Sequence, residues 1–407
     1  MYKHIKKAIQ PMRLILNDSR VTGILLIICT LLSVLFSNTT QTHAYQLFWH
    51  KDFFKTSSAV LPANPLEWIN TAMMSFFFLL AGMEIKRELL NGELSSFKKA
   101  ILPFGAALGG MVMPAILYAV FNHASGHLSG WGIPTATDIA FSLGVASIIG
   151  KRFPVGLKIF LMALAIIDDL GAIVIVTLFY GGKINLFFLA AAGILYSILI
   201  ILNILKIKNI FLYIIIPIAL WYCMYRSGIE AGITGVLVAF SLPVNFLPSV
   251  EKAIHFPVNY LILPLFALAN TAIILPDNLF NHMISPISMG IIVGLVIGKP
   301  LGIYLFSRIL VYFKIAHLPA KTNWTQLIGM GTLAGIGFTM SIFTTTLAFK
   351  NQEFKEEATV AIMLAMCLSF IISSIYFFVL DIRKIKLTRT QQILNSSASN
   401  EWIISQN

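Results

Sequence analysis

"ALAIIDDLGAIVIV", residues 163–176, places two adjacent carboxylates, Asp168 and Asp169, inside an otherwise apolar run. At the centre of a membrane helix each aspartate costs about 2.5–3.5 kcal/mol to insert. A run this apolar that keeps both carboxylates side by side needs a reason for them, and the rest of the chain supplies the setting.

The chain is 57% hydrophobic and only 11% charged over 407 residues, with a mean hydropathy of +0.84. Soluble domains carry about 25% charged residues. Here the charges gather in short clusters between long apolar runs. That is the pattern of an all-α polytopic membrane protein, since lipid accepts only helices and closed barrels. A barrel would alternate in ten-residue segments, and these runs do not alternate. Twelve apolar segments are predicted, at about 20–37, 68–85, 100–121, 134–150, 155–179, 184–205, 209–225, 228–244, 258–275, 287–312, 326–349 and 357–381. Residues 1–385 read as one integral membrane domain, and the polar stretch 386–407 reads as a disordered cytoplasmic tail.

The formal net charge of +12 does not point to nucleic acid, because the basic residues sit at loop ends. They cluster at Lys3, Lys6, Lys7 and Arg13, at Lys86, Arg87, Lys98 and Lys99, at Lys151 and Arg152, and at Arg383, Lys384, Lys386 and Arg389. The loops after the third and ninth segments hold no Lys or Arg. The positive-inside rule then places both termini in the cytoplasm, as an even number of spans requires. Cys29, Cys223 and Cys367 lie in apolar runs without metal-type spacing, which predicts neither a disulfide frame nor a zinc site. The first apolar run lacks a small-residue cleavage site, so no cleaved signal peptide is expected.

On a helix, Asp168 and Asp169 point about 100° apart, so one can meet a ligand while the other meets a different partner. Purely structural neutralisation is the alternative, but ionisable groups inside a membrane default to function. Lys299, in "GLVIGKPLGIYLF", is the obvious counter-ion. It sits mid-segment beside Pro300, too far from either end for ready snorkelling to an interface. "GIPTATDIAFSLG", residues 132–144, adds Asp138 behind Pro134, Thr135 and Thr137. Proline, threonine and glycine there predict irregular backbone, which membranes tolerate where it lines a cavity or is buried in protein. Freed carbonyls, the Thr137 hydroxyl and a carboxylate form a hard-oxygen site suited to Na⁺ or Li⁺ rather than a soft transition metal. "GTLAGIGFTMSIFTTT" holds a comparable break at Gly331, Gly335 and Gly337. Two broken segments, one in each half, point to a transporter's midplane site.

The stretches "WINTAMMSFFFLLAGMEIKREL", "IPTATDIAFSLG", "LKIFLMALAIIDDLGAI", "YLILPLFALAN", "GKPLGI" and "GIGFTMSIF" occur in that order. Through them, over nearly the whole chain, the sequence closely resembles the NhaA-type sodium/proton antiporters. The resemblance implies twelve transmembrane helices, with helices 3–5 and 10–12 as inverted repeats and broken helices 4 and 11 crossing near the midplane. It implies that Asp138 and Lys299 offset the partial charges of the half-helix ends. Asp169, with Thr137 and Asp138, would hold Na⁺ or Li⁺, and Asp168, sharing in ion binding and proton exchange, would pair with Lys299 as counter-charge. It implies electrogenic antiport at a bacterial inner membrane, two protons for each sodium, with no cofactor and no enzymatic reaction. The same resemblance assigns Glu84, Arg87 and Glu88, with Glu251, Lys252 and His255, to a pH-responsive cytoplasmic funnel.

The chain departs from that pattern at Thr71, where the family often has aspartate, and at Glu230 in "RSGIEAG", where it often has histidine. It also lacks the basic residues commonly found before Glu251, in "NFLPSVEK". These departures bear on pH response, so Glu230 joins the pH-response candidates. The family's homodimer uses a hairpin after helix one, but residues 41–65 match it poorly. A sodium-coupled organic-anion symporter of related fold is the alternative reading. It would be expected to need a polar or basic substrate pocket, and no intramembrane arginine is in place to serve one. An intramembrane aspartyl protease would need convergent aspartates, which an adjacent pair does not offer. A passive channel would not couple ion movement to protons.

Overall fold

A computed structural model describes residues 19–39, 42–53, 61–207, 209–275, 282–319 and 322–404. The basic N-terminal cluster lies outside these residues. The described residues are helical, with no strand among them. The helices are α1 (Ser19–Ser37), α2 (Pro65–Asn91), α3 (Phe97–Asn122), α4a (Leu128–Thr135), α4b (Ile139–Ile149), α5 (Val155–Phe179) and α6 (Leu186–Ile204). They continue as α7 (Leu212–Ser227), α8 (Ile233–Ser241), α9 (Val244–Asn270), α10 (Pro286–Tyr312), α11a (Trp324–Ala334), α11b (Phe338–Ala348) and α12 (Gln352–Ile404). Each apolar segment read from the sequence contains a helix, although residues 228–232 and 271–275 lie outside one. Among the described residues seven single helices are long and apolar enough to cross a bilayer: α2, α3, α5, α6, α9, α10 and the first part of α12. The α4 and α11 pairs pass the same test as bent units, at 41° and 49°. The apolar stretch Val21–Ser37 of α1 and the helix α7 are shorter, and α8 has only nine residues.

Outward faces stay apolar, as lipid contact requires: Leu178, Leu186, Phe187 and Val155 are all exposed. Inside, small residues let backbones meet. On α3 and α10, Gly109 and Gly302 face each other so closely that a Cβ on either would lie within 2.3 Å of the other's carbonyl oxygen. Two helices widen into a single π turn just before an X-Pro step. These are Val258–Ile262 ahead of Leu263-Pro264 and Gly294–Gly298 ahead of Lys299-Pro300. Proline has no N–H to give the preceding turn, and its ring collides with the carbonyl four residues back; a π turn relieves both problems.

Three local features stand out, and the first differs from the sequence reading. Lys86, read as an interfacial charge, is buried, and its Nζ donates to the carbonyls of Ala239 (3.3 Å), Phe240 (2.8 Å) and Leu242 (2.5 Å). An ammonium at the C-terminal end of α8 meets otherwise unpaired carbonyls and the negative end of the helix dipole. The segment after α1 contains a helix, Thr42–His50, whose Gln46 donates to Ala272 O at 2.9 Å. The helix α12 runs on through residues 386–404. Extending a nucleated helix costs little, and Lys, Leu, Arg and Gln are good helix formers. Residues 405–407 lie outside the described ones.

Candidate functional site

The site forms where the two breaks cross. Between α4a and α4b the chain runs extended through Ala136 to Asp138, and between α11a and α11b it turns through Gly335 to Gly337. The strands of chain touch directly. Asp138 N–H donates to Ile336 O at 2.7 Å, and Ser341 Oγ donates to Ile133 O at 2.8 Å. Glycine is required for this approach: a Cβ at Gly337 would lie 2.6 Å from Ala136 O, and one at Gly335 would lie 2.4 Å from Leu295 O.

Each break leaves two helix ends inside the protein, with unpaired N–H groups on one side and unpaired carbonyls on the other. Asp138 answers both N-termini. Its Oδ1 accepts from Phe141 N–H at 3.0 Å, capping α4b. Its Oδ2 accepts from Thr339 N–H at 3.1 Å and from the Thr339 hydroxyl at 2.6 Å, which ties it to the first turn of α11b. A carboxylate at two helix N-termini is well placed, since both dipoles favour negative charge there. Lys299 answers a carbonyl end, donating to Thr135 O at 2.5 Å. The π turn before Lys299 delivers its side chain to this point.

Lys299 Nζ also lies 3.0 Å from Asp168 Oδ2, and both side chains are fully buried. The Thr137 hydroxyl lies 2.7 Å from the same Asp168 oxygen and 2.9 Å from Ala334 O. It has one proton and can donate to only one of them at a time. Asp169 turns the other way, as the helical offset from Asp168 requires. Its Oδ1 is buried without a hydrogen-bond partner. The Asp169 side chain lines a cavity of about 200 Å³ whose polar lining also includes Asp138, Thr137, Thr339, Thr22, Glu84, Arg87, His255 and Asn259. The adjacent aspartates therefore have different surroundings: Asp168 sits in a buried ion pair and Asp169 lines the cavity, while each keeps an Oδ1 without a hydrogen-bond partner.

The sequence candidates are distributed unevenly around this centre. Asp138, Asp168, Asp169, Thr137 and Lys299 come together at the crossing. Glu84, Arg87 and His255 line the same cavity further along. Arg87 is 45% exposed and forms an ion pair with Glu251; His255 Nε2 is 3.2 Å from Asn259 Nδ2. Glu88 and Lys252 are not among the cavity's lining residues. Glu230 lies apart, in the turn between α7 and α8, where one of its oxygens accepts Gly232 N–H at 3.1 Å. Burial pushes the Glu230 carboxyl up to about 7, against the opposing pull of that N–H.

Thr339 was given no role in the sequence reading, although it lies in the quoted "GIGFTMSIF". The available signal was positional: it follows the second break closely, as Asp138 follows the first. Asn259 and Thr22 carried no comparable signal.

Residues 13–377 match the family described as Na⁺/H⁺ antiporter 1. The chain is 46% identical over 363 residues to Na(+)/H(+) antiporter NhaA of Flavobacterium psychrophilum, covering 88% of this chain and 92% of that protein. It is 44% identical over 372 residues to Na(+)/H(+) antiporter NhaA 2 of Flavobacterium johnsoniae, covering 88% and 91%. It is also 44% identical over 344 residues to Na(+)/H(+) antiporter NhaA of an Escherichia coli strain, covering 81% and 88%. With the match running through α1 to α12 and across both breaks, the chain belongs to the Na⁺/H⁺ antiporter 1 family.

Proposed function

We propose that this protein is an electrogenic antiporter that expels Na⁺, and Li⁺ on the same site, in exchange for protons at the bacterial inner membrane. The observation that carries the reading is the Asp169 carboxyl, which lines a polar cavity and has no donor on its Oδ1, beside an Asp168 whose Oδ2 is held by Lys299. A buried carboxylate without a donor is costly. Either a proton or a small cation relieves that cost, and the two cannot occupy it together. Competition of this kind is sufficient for exchange, provided the empty, deprotonated carrier does not reorient readily.

Asp169 supplies the anionic ligand in this reading. Asp138 and Thr137 contribute oxygens and field at the same end of the cavity, and Asp168 with Lys299 shares in proton exchange. The basic residues near the Arg87 end support a cytoplasmic position for that end. Twelve spans, with inverted repeats and both termini cytoplasmic, complete the arrangement. With two protons entering for each sodium leaving, one net positive charge moves inward per cycle, gaining about 2.3 kcal/mol per 100 mV. The relatives' names support Na⁺/H⁺ exchange.

The deciding experiment uses the purified full-length chain in proteoliposomes. Imposed sodium gradients are expected to drive proton movement, most strongly at neutral to alkaline pH, with no organic solute present. A membrane potential at equal pH is expected to drive sodium flux as well. Sodium flux without proton movement sinks the antiport reading, and uptake that requires an organic anion favours symport.

Glu230 adds a pH test. A carboxyl raised to about 7 is largely neutral below that pH and anionic above it. Glu230→Gln is expected to match wild type on the acidic side, where neither residue is charged, and to diverge on the alkaline side. Normalised pH–rate curves that superimpose throughout remove Glu230 from pH control.

A further inference from the structure

We propose that Thr339 is a positioning residue for cation binding, acting through Asp138; this rests on the antiporter reading above. Its hydroxyl donates to Asp138 Oδ2 at 2.6 Å, and its side chain is 2% exposed. Both residues line the cavity that Asp169 also lines. Asp138 therefore takes three hydrogen bonds from two different half-helices: one from α4b, and two from Thr339 at the start of α11b. Two of the three are backbone N–H bonds that any residue would supply. The Thr339 hydroxyl is the side-chain contribution, and it fixes the plane in which the Asp138 carboxylate faces the cavity.

The physical consequence is pre-organisation. A cation entering beside Asp169 needs a second negative group already oriented, because reorienting a buried carboxylate during binding subtracts from affinity. Asp138 cannot be held by Lys299, which is committed to Asp168 Oδ2 and Thr135 O. Without the Thr339 hydroxyl, Asp138 Oδ2 keeps the Thr339 N–H as its one protein donor, and the plane of the carboxylate is no longer fixed. Reorientation of the carrier itself is less affected, since the crossing retains its Asp138 N–H to Ile336 O and Ser341 to Ile133 O bonds.

The test is the KM against Vmax split for sodium in proteoliposomes containing the full chain. Thr339→Val keeps the shape and removes the donor. Loss of one hydrogen bond to a charged group predicts an apparent KM for Na⁺ raised about tenfold or more, with Vmax largely retained. Thr339→Ser restores the hydroxyl and is expected to return KM toward wild type. If Thr339→Val is not recovered from membranes, Thr339→Cys, similar in size with a much weaker donor, is expected to show the same rise. A wild-type KM in the Val or Cys variant overturns the proposal, as does an equal loss in Val and Ser. Wild-type protein that fails to exchange sodium for protons overturns the antiporter reading, and this inference with it. Working wild type with an indifferent Thr339→Val overturns this inference alone.

Discussion

Asp169→Asn is expected to abolish sodium-driven proton exchange while leaving the protein folded in the membrane. The substitution keeps the side chain's shape but removes the charge that a cation requires and the group that a proton occupies. No neighbour can stand in for it. Asp138 is tied to both half-helix N-termini by N–H and O–H donors, so it can share a cation but not replace the missing charge, and Asp168 is paired through Oδ2 with Lys299. Folding should be little affected, because Asp169 Oδ1 makes no hydrogen bond to lose. The check is exchange in proteoliposomes alongside a gel-filtration profile and thermal midpoint of the same preparation. A variant that exchanges sodium at the wild-type rate rules out Asp169 as the ion ligand.

The second large effect is on stability. Lys299→Ala is expected to lower the thermal midpoint in detergent markedly, since removing one member of a buried pair typically costs about 3–5 kcal/mol. The loss reaches beyond Asp168. Thr135 O at the end of α4a also loses its donor, and a buried carbonyl with no partner carries its own penalty. Replacing both partners together, with Asp168→Asn and Lys299→Met in one chain, is expected to recover part of the midpoint, because no lone charge is then left in the interior. A midpoint unchanged by Lys299→Ala would show that this ammonium does not hold the crossing together.

The residues that give these predictions were legible in the sequence to different degrees. An apolar run of suitable length declares a membrane helix through transfer energy alone, so the segments fell on helices. Asp168, Asp169, Asp138 and Lys299 stood out because charge inside such runs is costly. The divergence of the aspartate pair followed from helical geometry, and the breaks just after Pro134 and at Gly335–Gly337 followed from backbone chemistry. These are local properties, fixed by a residue and its near neighbours.

Which partner each buried group meets was decided only by the tertiary structure. Asp138 and Thr339 are 201 residues apart, and nothing in either local pattern names the other. Lys86 had the sequence context of an interfacial charge, yet packing of α2 against α8 sets it on three carbonyls. The π turn before Lys299 is a response to Pro300, but its effect, aiming the ammonium at Asp168, exists only once α10 lies against the crossing. The physical reason is common to these cases. Apolar periodicity and insertion cost constrain where a residue sits, whereas hydrogen bonding in a dry interior requires specific pairs, and the pairs are chosen by chain segments that meet only in the fold.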